Sequence, residues 1–203
     1  MTGAWLLALQ TLTNLSLAAP GPGLPNGWKL TRVGRAQPPV FEVTRAHTLR
    51  IEAAGRAGFA SYRLRAPLRP GPGGGGGRRQ LTWRWRTGTP VPRASLRSRE
   101  RDDSPVRVVV VFDDGRMLHY SWGSTEPLGD IFASRTSALR GVVVLRRAED
   151  ANGSWFLEAR DPFADYRRAF SNAPHPIVAV GIAADTDQLH DHTVAEVGEL
   201  AWD

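Results

Sequence analysis

Charged side chains recur along this sequence in patterns that suit anion recognition. Arg84 and Arg86 alternate along one face of a strand-like segment. A guanidinium group is planar and pairs bidentately with a carboxylate of the protein or of a ligand. Two roles fit: a surface that binds an acidic saccharide or another anion, and an ion-pair network that fastens a loop to a sheet, such as Asp102 or Asp103 to Arg107 or Arg84. The candidate ligand-binding set is Arg84, Arg86, Asp102, Asp103, Arg107, Glu158, Arg160 and Asp165.

Oxygen and imidazole groups are dense between Asp185 and His192 (DTDQLHDH). Asp185 and Asp187 are the candidate metal ligands: carboxylates suit calcium, which is the candidate ion, and the histidines of the segment would suit a transition metal. The segment has neither the glycine and terminal glutamate of an EF-hand nor an HExxH pattern. The alternative is a polar hairpin whose two aspartates accept hydrogen bonds from turn amides. No other cofactor is expected.

Paired carboxylates are the machinery that the sequence offers for catalysis. Asp102 with Asp185, or Glu158 with Asp187, would act as acid and base at a glycosidic bond. The chain has no GxSxG elbow and no cysteine, and its five-glycine run lacks the lysine of a phosphate loop. We therefore predict no catalytic residue and keep a glycan-cleaving enzyme as the alternative.

Aromatic residues offer a second way to bind a saccharide, since sugar rings stack on indole rings. Trp83 and Trp85 share a strand face with Leu81, however, so packing in the core is the favoured role. The five residues considered are Trp83, Trp85, Trp122, Trp155 and Tyr120.

Period-two patterns dominate the elements that must position these residues. Asp113-Asp114-Gly115 and Asn152-Gly153 are typical of hairpin turns. In addition to the alternations Leu118, Tyr120, Trp122 and Trp155, Leu157, Ala159, the predicted strands are Trp28 to Val33, Val40 to Val43, Leu49 to Ala53, Phe59 to Arg65, Gln80 to Arg86, Val106 to Phe112, Val142 to Leu145, Ile177 to Ile182 and Val194 to Trp202.

One helix is predicted from Pro162 to Ser171, with Asp161 as its cap and Pro162 at its first position. About ten short strands and one helix favour an all-β fold, an antiparallel β-sandwich of jelly-roll or galactose-binding-like type. Residues 24–203 form this single domain. Pro70 to Arg79 is interpreted as a flexible loop and Pro90 to Ser104 as a surface connection.

The first 23 residues form a signal-like or flexible segment. Ala4 to Ala19 is an apolar stretch without a preceding basic residue, and it is too short and too polar for a transmembrane segment. We interpret it as an export signal of a periplasmic or secreted protein; the alternative is an N-terminal helix packed on the domain, in which case the protein is cytoplasmic.

The net charge of +6 raises the question of nucleic acid, but the 26 basic residues are spread along the chain and no nucleic-acid-binding motif accompanies them. We expect no nucleic-acid partner. The oligomeric state is not predicted.

Several motifs in this order resemble the bacterial domain of unknown function 3047 family. The resemblance runs from about Leu24 to the C-terminus and implies an extracytoplasmic β-sandwich built like carbohydrate-binding jelly rolls, without a known activity. The motifs are Leu24 to Trp28, Leu81 to Arg86, Asp102-Asp103 with Arg107 to Phe112, Tyr120 to Trp122, Trp155 with Glu158 to Arg160, Asp165 to Phe170, and Asp185 to Asp187.

We thus expect a non-catalytic module of the cell envelope that binds a saccharide or an anionic ligand. The alternatives are the glycan-cleaving enzyme and a calcium-stabilised structural domain.

Overall fold

A computed structural model describes residues 10–71 and 80–203. The described residues do not include Pro72 to Arg79, which is most of the predicted loop Pro70 to Arg79. They also do not include the beginning of the apolar stretch, up to Leu9. The strands are β1 (Gln10–Thr11), β2 (Gly21–Pro22), β3 (Trp28–Arg32), β4 (Val40–Val43), β5 (Leu49–Ala54), β6 (Ala57–Leu68), β7 (Leu81–Thr87), β8 (Ser104–Phe112), β9 (Met117–Trp122), β10 (Ile131–Ala133), β11 (Arg140–Arg146), β12 (Phe156–Arg160), β13 (Ile177–Asp185), β14 (His192–Val197) and β15 (Ala201–Trp202).

The strands of the described chain form two packed sheets, which confirms the predicted β-sandwich. The first sheet has the order β1-β15-β7-β14-β5-β4-β2, and β12 pairs with β7. The second has the order β10-β11-β9-β8-β13-β6-β3. The pair β9–β11 is parallel, so the second sheet is mixed, not purely antiparallel.

Alternation of side chains places the core between the two sheets. Leu81, Trp83 and Trp85 point inward from β7, and Val106, Val108, Val110 and Phe112 point inward from β8. Leu118, Tyr120 and Trp122 complete this layer from β9. The large indole rings pack at angles on one another, with centroids of Trp83 and Trp85 5.7 Å apart. Their burial supplies much of the apolar area removed from water.

The predicted helix is confirmed as α1 (Pro162–Phe170). Asp161 accepts hydrogen bonds from the amides of Phe163 and Ala164, at 2.9 and 3.0 Å, and Ser171 ends the helix in a left-handed conformation. These bonds satisfy amides that the first helical turn leaves free. The helix packs against β10 and β11.

Two predicted connections differ from the structure. The turn Asp113-Asp114-Gly115 does join the antiparallel strands β8 and β9. Asn152-Gly153 does not make a hairpin, because β11 lies in the second sheet and β12 in the first. The predicted strand Val194 to Trp202 is divided into β14 and β15, which pair with different parts of β7.

The segment predicted as a surface connection, Pro90 to Ser104, covers the outer face of the second sheet. Leu96 packs with Val142, Val144 and Phe132 on the side of the sheet opposite Val143, which belongs to the main core. Val91 and Ala94 are also fully buried. Part of this connection is therefore a lid of apolar residues and not an exposed loop.

The described part of the N-terminal segment contacts the sandwich. β1 pairs with β15, β2 pairs with β4, and Leu15 is completely buried. Whether residues 1–23 are an export signal stays a prediction. In the described residues, no helix has both the length and the apolar character required to span a membrane.

Candidate functional site

The predicted ligand-binding residues lie in separate places. Asp102, Asp103 and Arg107 meet at the outer face of the second sheet. Glu158 points into the space between the sheets, and Arg160 and Asp165 join β12 to α1. Arg84 and Arg86 lie on the outer face of the first sheet. Each group has its own contacts.

The buried group around Arg107, which we call the Arg107 network, consists of Asp102, Arg107, Arg140 and Asp185. Arg107 Nη2 donates to the carboxylate of Asp102 at 3.0 Å and to its carbonyl at 2.8 Å, and Nη1 donates to Asp185 Oδ2 at 3.3 Å. Arg140 also donates to the Asp102 carboxylate. Arg107 is only 3% exposed. The network has the geometry of the predicted loop-fastening ion pairs.

Asp185, the last residue of β13, lies beside two further carboxylates. Asp103, Asp185 and Asp187 each place an oxygen within 4.8 Å of the others. Burial raises the pKa of Asp185 to about 7; nearby Arg107 opposes this rise and the close Asp187 carboxylate adds to it. Asp103 accepts hydrogen bonds from the amides of Gln188 and Leu189, so it also fastens the turn after β13. Asp103 thus lies in one cluster with Asp185 and Asp187, the two metal ligands predicted from sequence.

His119 is a buried residue of this face that the sequence pattern did not single out. It points outward from β9, but the covering loops leave it only 9% exposed. Neither ring nitrogen has a hydrogen-bond partner in the part of the chain that the structure describes. Burial, reinforced by the cations Arg107 and Arg140, lowers the pKa of His119 well below its usual value.

Glu158, Arg160 and Asp165 are held by internal contacts. Glu158 accepts from Trp85 Nε1 at 2.9 Å and from Arg146 Nε at 2.7 Å. Arg160 donates to Asp165 through Nε at 3.0 Å and Nη2 at 2.6 Å. Tyr120 donates to the same carboxylate at 3.0 Å. These contacts join strands to one another and to α1.

The outer face of the first sheet carries what we call the Arg84 surface, formed by Arg84, Arg86, Trp155 and Leu157. The guanidinium carbons of Arg84 and Arg86 lie 4.7 and 4.8 Å from the ring centroid of Trp155. Arg86 pairs with Glu196 at 2.6 Å. Arg84 is exposed, and among the described residues no carboxylate pairs with it. Arg84 is therefore a cation that remains available at the surface.

Strand pairing creates this surface from residues far apart in sequence. Leu157 of β12 lies opposite Arg84 of β7 and is 76% exposed. Gly198 leaves room for the stem of Arg84, since a Cβ at this position would lie 2.8 Å from Arg84 Cγ. Two shallow depressions adjoin the Arg84 surface. One, of about 310 Å³, is lined by Arg84, Leu157, His47 and Glu199. The other, of about 280 Å³, is lined by Arg86, Thr89 and Glu196.

The predicted aromatic set is divided in the same way. Trp83, Trp85, Trp122 and Tyr120 are fully buried and confirm the core role. Trp155 is half-buried on the outer face. The predicted alternation of Trp155, Leu157 and Ala159 is present. These three side chains face outward from the sheet, whereas Glu158 points inward. A local pattern gives the period of a strand, whereas its pairing decides which side is covered.

Sequence comparison places the chain in a family. A family model described as a protein of unknown function, DUF3047, matches residues 26–201. The chain belongs to the DUF3047 family. None of the curated proteins matches it in sequence.

Solved structures resemble this DUF3047 protein in fold. The xyloglucanase domain of NopAA, a type three effector from Sinorhizobium fredii in complex with cellobiose, has a TM-score of 0.50 and 10% identity over 91% of this chain and 97% of that chain. The cellulose induced protein Cip1 has a TM-score of 0.44 and 10% identity over 87% and 90%. The agarase AgWH50C has a TM-score of 0.45 and 8% identity over 96% of this chain, which spans about a quarter (24%) of the agarase chain.

Proposed function

We propose that this protein is a non-catalytic module of the cell envelope that binds an acidic saccharide at the Arg84 surface. The observation that carries the proposal is the exposed Arg84 guanidinium, which has no carboxylate partner among the described residues and lies beside Trp155. Most of the other predicted arginines are neutralised within the protein. Arg84 is the one that a ligand would meet.

The chemistry of the surface suits a sugar that carries a carboxylate or a sulfate group. A guanidinium fork binds such a group through two parallel hydrogen bonds. The exposed Leu157 and the half-buried Trp155 offer apolar area to the C–H face of a sugar ring. The two flanking depressions would receive the neighbouring sugars of a chain.

The likeness of fold to a xyloglucanase domain crystallised with cellobiose supports a saccharide as the ligand class. The carboxylates proposed for catalysis give less support to a glycan-cleaving enzyme. Asp102 is paired with two arginines, and Glu158 accepts from Trp85 and Arg146. A carboxylate so engaged is poorly placed to act on a glycosidic bond. A binding role is therefore the one that we favour.

Isothermal titration calorimetry with two saccharides tests the proposal. We expect an oligogalacturonide, with a carboxylate on each sugar, to bind, and a neutral cello-oligosaccharide of equal length to bind more weakly. Added NaCl should weaken the binding of the acidic saccharide, because salt screens the interaction between exposed charges. Arg84→Ala should weaken its binding at least about tenfold, since a hydrogen bond to a charged group contributes about 1.5–3 kcal/mol.

Arg63→Ala is the matched control, because Arg63 is also exposed but belongs to β6 of the second sheet. It should leave the affinity unchanged, and both variants should keep the melting temperature of the unmodified protein. Absence of binding by either saccharide at millimolar concentration would remove the ligand from the proposal. Equal losses in the two variants would indicate attraction to the net positive charge and not a site.

A further inference from the structure

We propose that Asp103, Asp185 and Asp187 bind one calcium ion at the end of β13. This site lies on the second sheet and is independent of the Arg84 surface on the first. It extends the pair of candidate ligands, Asp185 and Asp187, by a residue that precedes β8 and is distant from them in sequence.

The spacing of the three carboxylates fits a single large cation. Their ligand oxygens all lie within 4.8 Å of one another. Calcium binds oxygen at about 2.3–2.6 Å, so two ligand atoms on opposite sides of the ion are about 4.6–5.2 Å apart. Magnesium binds at about 2.0–2.1 Å and retains several waters, which favours closer sites with fewer carboxylates. Three oxygen ligands without imidazole or thiolate also favour a hard cation.

An orphaned oxygen of Asp185 independently points to a ligand. Asp185 is only 7% exposed, and its Oδ2 receives a hydrogen bond from Arg107. Its Oδ1 is buried and has no hydrogen-bond partner in the described part of the chain. A buried carboxylate oxygen without a donor is costly, because it has lost water and gained nothing in exchange. A cation held between this oxygen and the two neighbouring carboxylates would remove that cost.

The charges of the Arg107 network and its neighbours lead to the same conclusion. Asp102, Asp103, Asp185 and Asp187 bring four negative charges when ionised. Arg107 and Arg140 bring two positive charges, and both of these bind Asp102. With all four carboxylates ionised, two negative charges are uncompensated at a largely buried place, and one divalent cation balances them.

The turn that bears Asp187 is held in place before any cation binds. Asp103 accepts the amides of Gln188 and Leu189, at 3.3 and 2.8 Å. The Thr186 hydroxyl accepts from the amide of Arg56 at 3.1 Å. These contacts reduce the ordering that cation binding would otherwise require.

Thermal unfolding of the full chain with and without calcium tests the site. Protein freed of cations by dialysis against EDTA should bind one Ca²⁺ per chain in calorimetry. Its melting temperature should rise by about 5 °C or more when free Ca²⁺ is about a hundred times the dissociation constant. Asp187→Asn removes a ligand charge from a half-buried position and should abolish most of this shift. Its circular dichroism spectrum without calcium should match that of the unmodified protein.

Asp113→Asn is the control, since it makes the same chemical change at an exposed residue of the β8–β9 turn. This variant should keep the full response to calcium. The proposal is overturned if the unmodified protein neither binds Ca²⁺ nor gains stability at millimolar concentration, or if Asp187→Asn responds like the unmodified protein. An equal shift with Mg²⁺ would overturn the assignment to calcium.

Discussion

His119 shows how cover from another segment changes the chemistry of one residue. Its position between Leu118 and Tyr120 places it on the outer face of β9, where an imidazole would normally contact water. In the structure it is buried beside two guanidinium groups and lacks a partner for either nitrogen among the described residues. A protonated imidazole would be unfavourable there, so this residue is neutral in the folded protein at neutral pH.

The lowered pKa of His119 predicts a loss of stability in acid. In the unfolded chain the imidazole takes up a proton below about pH 6.5, whereas in the folded protein it stays neutral to a much lower pH. The unfolded state then binds more protons, and the free energy of unfolding should fall by up to about 1.4 kcal/mol per pH unit as the pH decreases from 6.5.

Urea unfolding at pH 7.5 and pH 5 measures this effect. His119→Leu removes the titrating group, so the difference in stability between the two pH values should be smaller in the variant than in the unmodified protein. The measurement at pH 7.5 is the internal control, because it reports the cost of the substitution itself. An identical pH dependence in the two proteins would show that His119 does not govern it.

Gly198 and Arg84 show that one residue's conformation depends on the size of another. The Arg84 stem occupies the space that a side chain at position 198 would take. The cation reaches the surface beside Trp155 because β14 is followed directly by Gly198, which has no Cβ. The contact between Arg84 and Gly198 therefore depends on how two neighbouring strands pack, and not on either strand alone.

At the scale of elements, the N-terminal segment behaves as part of the sandwich. Leu15 is in a short 3₁₀ turn and is completely buried, and Leu17 of the same turn is 88% exposed. The Thr13 hydroxyl and the Ser16 backbone amide both donate hydrogen bonds to the carboxylate of Glu199, near β15. The segment therefore covers one end of the core.

Leu15→Ala should lower the free energy of unfolding by about 2–4 kcal/mol, because it removes buried methyl groups and leaves a cavity. Leu17→Ala is a control within the same turn and should change stability by less than about 0.5 kcal/mol, since its side chain is in water. Chemical denaturation of the three proteins gives both values. Similar losses in the two variants would contradict the packing of this segment on the domain.

At the scale of the molecule, the two sheets differ in what covers their outer faces. Residues of the Pro90 to Ser104 connection lie over part of the second sheet, where Leu96 packs with Val142 and Val144 and Asp102 pairs with the buried Arg107. The first sheet presents a ladder of alternating charges, in which Arg86 pairs with Glu196 and Arg50 with Glu52. We propose the saccharide site on the first sheet because its outer face carries Arg84, which is exposed and has no carboxylate partner among the described residues.

The extracytoplasmic location is a property of the whole protein, and the proposal for it rests on the apolar stretch Ala4 to Ala19 and on the family resemblance. We expect a C-terminally tagged chain to be recovered from the periplasm or the medium after cell fractionation. A cytoplasmic marker enzyme in the same preparation measures leakage. Recovery of the tagged chain with that marker would favour the alternative of a cytoplasmic protein.

Sequence by itself determined the period of the strands, the helix and the identity of the core. The alternations in β7, β8 and β9 distinguish inward tryptophans and valines from outward arginines, because successive side chains of a strand point to opposite sides. Asp161 and Pro162 likewise define the start of α1 through local hydrogen bonds. These features depend on neighbours in the chain.

Only the tertiary structure decided which outward charge is buried and which is available. Arg84 and Arg107 have equivalent positions in their strands, yet one is at the surface and the other is enclosed by a segment that local pattern describes as exposed. The pairing of β12 with β7, which brings Leu157 to Arg84, also joins residues 73 positions apart. Such contacts depend on the relative free energies of whole arrangements of strands, which no window of a few residues contains.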